Sequence, residues 1–94
     1  MPRLIIYSIL DTKAQEFSPL FLAPTEQVAK RLVLESMKGP GNLMGTYPED
    51  FLLYSVGVFH TDVGVIDGSG DRPNLVCSVQ ELFITPRGAQ NAEG

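Results

Sequence analysis

The sequence of 94 residues suits a single domain, and its seven Lys and Arg against eleven Asp and Glu give a net charge of −4. Hydrophobic residues make up 44% and charged residues 19%, a balance that excludes an intrinsically disordered chain. The acidic balance also argues against nucleic-acid binding by a wholly basic surface, although a local basic face stays open.

Membrane and secretion signals are missing from the sequence. No apolar run reaches the roughly 20 residues that cross a bilayer, and the opening Met1–Tyr7 lacks the features of a signal peptide. The single cysteine, Cys77, cannot form an internal disulfide. We therefore expect a cytoplasmic protein without a membrane partner. Because so small a domain exposes much of its surface, a homo-oligomer that buries apolar area would add stability.

The first predicted element is an isoleucine-rich strand over 4–10 that is apolar on both faces. Such a strand is typical of the centre of a sheet, covered on both sides or lying at a subunit contact. Residues 11–14 read as a turn. A second apolar run covers 17–22, where Pro19 favours an edge or irregular strand.

One amphipathic helix is predicted from Thr25 to about Met37. Thr25 is a good N-cap, Glu26 suits the positive end of the helix dipole, and the Gly39-Pro40 pair ends the helix. Its apolar positions fall on one stripe, which consists of Val28, Ala29, Leu32, Val33 and Met37.

After a predicted loop over 42–50, a strand covers 51–60. Strict alternation assigns its side chains to two faces, Leu52, Tyr54, Val56 and Val58 against Leu53, Ser55, Gly57 and Phe59. A turn at 61–62 leads to a strand over 63–66, and a last strand covers 75–79.

These elements predict the α+β class, with a small, mainly antiparallel sheet of four to five strands and one helix packed on a face. Residues 1–84 form one domain, and 85–94 are predicted to be a disordered C-terminal tail.

Catalytic motifs are scarce. The only histidine, His60, stands near Asp62 without a second histidine, which favours a solvated residue at a strand end over a catalytic pair. Cys77 lies in an apolar run, where a cysteine usually acts as a small buried hydrophobe. Residues 68–70 lack the lysine of a phosphate-binding loop. We expect no enzyme and no cofactor.

Two acidic segments have structural and functional readings. The loop carboxylates of Asp62, Asp67 and Asp71 lack the spacing of an EF-hand, so simple solvation is favoured over a weak divalent-cation site, and we expect no metal. Residues 47–50 are read as a turn that starts a strand, while the alternative is an acidic contact for a basic partner.

A nucleic-acid-binding surface is predicted from cations and strand aromatics: Arg3, Lys13, Lys30, Arg31, Tyr54 and Phe59. The four cations would converge if the helix and the strand ends meet, and the aromatic rings could stack on single-stranded bases. The competing interpretation is a solvated helix face and aromatic residues that belong to the core.

Several short blocks resemble the small nonstructural protein of gokushovirus-type microviruses, which are single-stranded DNA bacteriophages. The resemblance covers residues 3–83 and is carried by the blocks Asp11–Ala14, Pro19–Phe21, Ala23–Thr25, Tyr47–Phe51 and Leu53–Tyr54, with Phe17, Ala29, Arg31, Gly57, Phe59, Asp62 and Gly64. The sequence departs from the family pattern at 20–23, which is less aromatic, and at the glycine-rich insert 67–71.

The resemblance implies a non-capsid protein that acts in the host cytoplasm during viral DNA synthesis and has no catalytic residues. The leading hypothesis is a non-enzymatic accessory protein of replication or genome packaging that binds single-stranded DNA as a homodimer. The alternative is a protein-interaction module that binds a viral or host replication protein through its helix or an open sheet edge.

Overall fold

The computed structural model describes residues 2–83 and has the α+β fold that the sequence predicts. It has six strands rather than four to five, namely β1 (Arg3–Asp11), β2 (Glu16–Phe17), β3 (Phe21–Ala23), β4 (Phe51–His60), β5 (Val65–Gly68) and β6 (Asn74–Ser78). All the described pairings are antiparallel. The long strands β1 and β4 pair at the centre, with β2 and β3 flanking β1 and β5 and β6 flanking β4.

The extra strand arises because the apolar run over 17–22 is interrupted. Pro19 has no N–H to donate, so the chain leaves the ladder and returns as β3. The pairs Leu10–Phe17 and Ile6–Leu22 fix the registers of β2 and β3 against β1. As a result, this edge of the sheet consists of two short strands instead of one long one.

The predicted helix is α1 (Glu26–Ser36), and the Thr25 Oγ1 atom accepts a hydrogen bond from the Val28 N–H at 3.2 Å. The loop predicted over 42–50 is only partly a loop, since it contains α2 (Leu43–Thr46) and a 3₁₀ turn (Pro48–Asp50). The Asn42 side chain accepts from the Met44 N–H at 2.9 Å, and this cap supports one helical turn.

Both helices pack on one side of the sheet, which we call the helix face. The core there joins side chains of α1 to side chains of β1, β3, β4 and β6, and Ala29 and Leu53 are fully buried within it. The remaining members are Tyr7, Ile9, Ala23, Val33, Met37, Phe51, Cys77, Val79 and Leu82. Residues 79–83 are helical and close this core with Val79 and Leu82.

The turn between β4 and β5 is longer than the sequence suggests. It covers residues 61–64, where Gly64 has a φ of +73° and its N–H donates to the His60 carbonyl at 2.8 Å. Strand β5 therefore begins at Val65, two residues later than predicted, because glycine is the residue that accepts this left-handed conformation without strain.

The tail predicted over 85–94 lies outside the described residues. Among the helices of residues 2–83, none has both the length and the apolar character to cross a membrane.

Candidate binding surface

The side of the sheet opposite the helices is apolar, and we call it the open face. Side chains of directly paired residues in antiparallel strands lie on the same face. The registers therefore place ten large apolar residues on the open face: Leu4, Ile6, Leu10, Phe17, Leu22, Leu52, Tyr54, Phe59, Ile66 and Leu75.

Several residues of the open face are widely exposed. Ile66 and Leu75 expose 63% and 59% of their surface, and Phe17 and Leu22 expose 46% and 43%. Ile6, at the centre of the face, is only 3% exposed although it does not belong to the core under the helices. Within residues 2–83, the helices lie on the other side of the sheet, and on the open face Ser18 lies against Ser8. A contiguous exposed apolar patch of this kind usually marks a binding surface.

A β-bulge in β4 places Tyr54 and Phe59 on the same face of the sheet. Ile6 pairs with Gly57 and Tyr7 pairs with Ser55, so Val56 is the extra residue of β4. The bulge reverses the alternation beyond it, so the predicted assignment of Tyr54 and Phe59 to opposite faces is wrong, and both lie on the open face. The ring of Tyr54 also meets Phe17 edge to face, with centroids 5.4 Å apart.

The cations predicted to bind nucleic acid do not converge. Arg3 begins β1 and Lys13 follows its end, so the two are separated by a strand about 30 Å long. Lys30, whose side chain is 29% exposed, forms an ion pair with Glu26 at 3.2 Å, and Arg31 is exposed on the same helix. The helix lies across the sheet from Tyr54 and Phe59, so the predicted cations and aromatic residues lie on different sides of the sheet.

The strand residues of the open face carry no charge. Its polar groups at the paired strand positions are the hydroxyls of Ser8, Tyr54 and Ser78, and Ser8 is 1% exposed. The Ser8 hydroxyl donates to the Ser18 carbonyl at 2.7 Å, so it needs no further partner. Burial of the open face in an interface would therefore leave neither a charge nor the Ser8 hydroxyl without a partner.

A hollow of about 350 Å³ lies on the helix face, and no residue of α1 lines it. Arg3, His60 and Asp67 line it, together with Ser55 and Asn74. His60 Nε2 donates to Asp67 Oδ2 at 2.8 Å, so the histidine is paired across the β4–β5 hairpin and not with Asp62. Asp67 balances the charge of Arg3, which makes this hollow a poor site for a phosphate chain.

The remaining candidates for chemistry have structural surroundings. Cys77 is buried in the core, and this burial raises the pKa of its thiol. No group of three His, Cys, Asp or Glu side chains within residues 2–83 is placed to hold a metal ion, and this includes the loop carboxylates at 62, 67 and 71. Asp50, directly before β4, has a structural role, since its backbone carbonyl accepts a hydrogen bond from the Thr12 N–H at 3.0 Å.

The fold and its surface together define a small α+β protein whose helices cover one face of the sheet. Its most distinctive surface is the apolar open face on the other side. The family model described as "Phage ORF5 protein" matches residues 4–82, and the chain belongs to this bacteriophage family. Comparisons with curated proteins and with solved structures gave no match.

Proposed function

We propose that the protein is a non-enzymatic accessory protein of phage DNA replication or genome packaging that acts by binding another protein surface through the open face. The observation that carries the proposal is the uncharged apolar open face, with Ile66 and Leu75 more than half exposed. Membership of the phage family supports the accessory role. The resemblance to microvirus nonstructural proteins supports the finer assignment to replication or packaging in the host cytoplasm.

Electrostatics favours a protein partner over DNA at this surface. Nucleic acids are held largely through phosphate contacts with Lys and Arg, and the strand positions of the open face offer none. The net charge of −4 adds general repulsion of a polyanion. Apolar and aromatic side chains without charge are instead typical of the buried centre of a protein interface.

The non-enzymatic part of the proposal rests on the surroundings of the two most reactive side chains. His60 is hydrogen-bonded to Asp67, and within residues 2–83 neither serine of this hollow, Ser55 or Ser69, forms a hydrogen bond with His60. Ser69 donates its hydroxyl to the Arg72 carbonyl at 2.9 Å instead. The raised pKa of Cys77 reduces the thiolate fraction that a nucleophile needs.

Direct binding of single-stranded DNA is the second candidate function. Three aromatic residues, Phe17, Tyr54 and Phe59, lie on the open face, and sheet-borne aromatic rings are a common platform for stacking single-stranded bases. Each stacked base contributes roughly 1–3 kcal/mol, so even a face without cations offers some affinity.

Fluorescence anisotropy with labelled single-stranded and double-stranded oligonucleotides, at low and high salt, separates the two candidates. We expect no binding of either oligonucleotide at low salt, because the open face lacks phosphate contacts. Tight, salt-dependent binding of the single strand would overturn the protein-partner proposal if Tyr54→Ala weakens it while Tyr47→Ala does not. Tyr47 is the matched control, since it is 49% exposed and lies outside the open face.

A further inference from the structure

We infer that the occupant of the open face is a second copy of this chain, so that the protein is a homodimer joined sheet to sheet. The inference rests on the proposed role of the open face as a protein-binding surface. It identifies the partner from the size of the face, its lack of charge and the blunted edges of the sheet.

The open face is large enough for a stable interface. Strand β1 makes it about 30 Å long, and four strands side by side make it about 15–20 Å wide. Its four most exposed residues alone offer about 400 Å² of apolar surface, and the half-buried neighbours raise this to about 600 Å². A standard interface buries about 800 Å² per partner, of which roughly 60% is apolar.

The lack of charge favours self-association in particular. In a two-fold symmetric dimer the same patch meets itself, so a patch carrying one sign of charge would repel its copy. The strand residues of the open face carry no charge, and the Ser8 hydroxyl is already paired with the Ser18 carbonyl at 2.7 Å. Two protomers, each of net charge −4, can therefore meet at the part of their surface where repulsion is weakest.

Other occupants fit less well. In this sequence residues 84–94 contain one large aliphatic side chain, Ile84, which is too little to fill the open face. The sheet edges are poor sites for strand addition, because both consist of two short strands and Pro19 and Pro73 interrupt them. Contact through the face is thus favoured over contact through an edge.

Sedimentation velocity of the full chain from about 1 to about 100 μM tests the dimer, with two charge substitutions of equal exposure. Leu75 on the open face and Leu43 on α2 are both 59% exposed in the protomer. We expect the wild-type chain and Leu43→Glu to sediment as dimers, with an apparent mass of twice the 10.3 kDa of one protomer. Leu75→Glu is expected to raise the dimer dissociation constant at least about 100-fold, because the dimer would bury two unpaired carboxylates.

A wild-type chain that stays at 10.3 kDa throughout this range would overturn the dimer, as would equal behaviour of the two variants. Circular dichroism confirms that each variant is folded, and Ile66→Glu, at a site 63% exposed on the same face, replaces Leu75→Glu if that variant does not fold. A monomeric wild-type chain leaves the proposed function standing, since the open face could still bind a different protein.

Discussion

Replacing Leu53 with alanine is expected to lower the free energy of unfolding by about 2–5 kcal/mol. Leu53 is fully buried where β4 meets the core under α1, and its neighbours across the sheet are Ile9 and Cys77. Removing its side chain takes away apolar burial and leaves a cavity between helix and sheet. For a domain of 94 residues, whose total stability is about 5–14 kcal/mol, this loss is a large fraction of the whole.

Urea denaturation at one fixed protein concentration measures this loss, and a fixed concentration is needed because a dimer's stability depends on it. Leu43→Ala is the control, since Leu43 is 59% exposed and we expect a change within about 0.5 kcal/mol. Equal effects of the two substitutions would mean that the core does not lie between α1 and the sheet.

The second large effect is expected at Gly57, next to the bulge of β4. A Cβ atom at this position would lie 2.5 Å from the Asp67 carbonyl oxygen, so Gly57→Ala must push β5 away from β4. We expect a loss of about 1–3 kcal/mol in the free energy of unfolding, as is usual for overpacking. Hydrogen exchange should also show faster opening of the β4–β5 ladder.

Gly68→Ala is the matched control for this prediction. Gly68 pairs directly with Gly57, but a Cβ atom there would meet nothing within 4 Å. We expect its unfolding free energy to stay within about 0.5 kcal/mol of the wild-type value. If Gly57→Ala changes the free energy of unfolding as little as Gly68→Ala does, the close approach of β5 to β4 is not a feature of the folded protein.

Much of the fold follows from local sequence signals. The N-cap at Thr25 and the long strand over 51–60 are confirmed, because capping and periodicity act over a few residues. The predicted apolar stripe of α1 is confirmed for Ala29, Val33 and Met37, which are buried, but it is wrong for Leu32, which is 42% exposed. The sequence interpretation missed α2, whose single turn depends on the Asn42 cap, and it missed the exact length of the β4–β5 turn. Short elements of this kind have too few residues to show a period.

The candidate surface was only partly predictable. The apolar character of both faces of β1 indicated a subunit contact as one possibility, and the open face contains Leu4, Ile6 and Leu10 from that strand. The bulge at Val56 could not be predicted, since it depends on the register of β4 against β1. Without the bulge, strict alternation places Tyr54 and Phe59 on opposite faces of the sheet. A continuous open face is then not predicted.

The predicted cation cluster failed for a reason of topology. Arg3 and Lys13 flank the same strand in the sequence, but a nine-residue strand holds its two ends far apart. On α1, Arg31 is exposed, while the Lys30 side chain is only 29% exposed and lies 3.2 Å from Glu26. Whether Arg3, Lys13, Lys30 and Arg31 contact DNA stays a prediction that the oligonucleotide titration tests.

The most direct test of the central claim, that the open face is the working surface, is complementation of a phage that lacks this gene. The wild-type protein, Leu75→Glu and Leu43→Glu would each be expressed from a plasmid in the infected host and compared by the yield of infectious phage particles. We predict that wild type and Leu43→Glu restore the yield and that Leu75→Glu lowers it at least about tenfold, because a charge at a site 59% exposed blocks the apolar contact. Full restoration by folded Leu75→Glu would contradict the account.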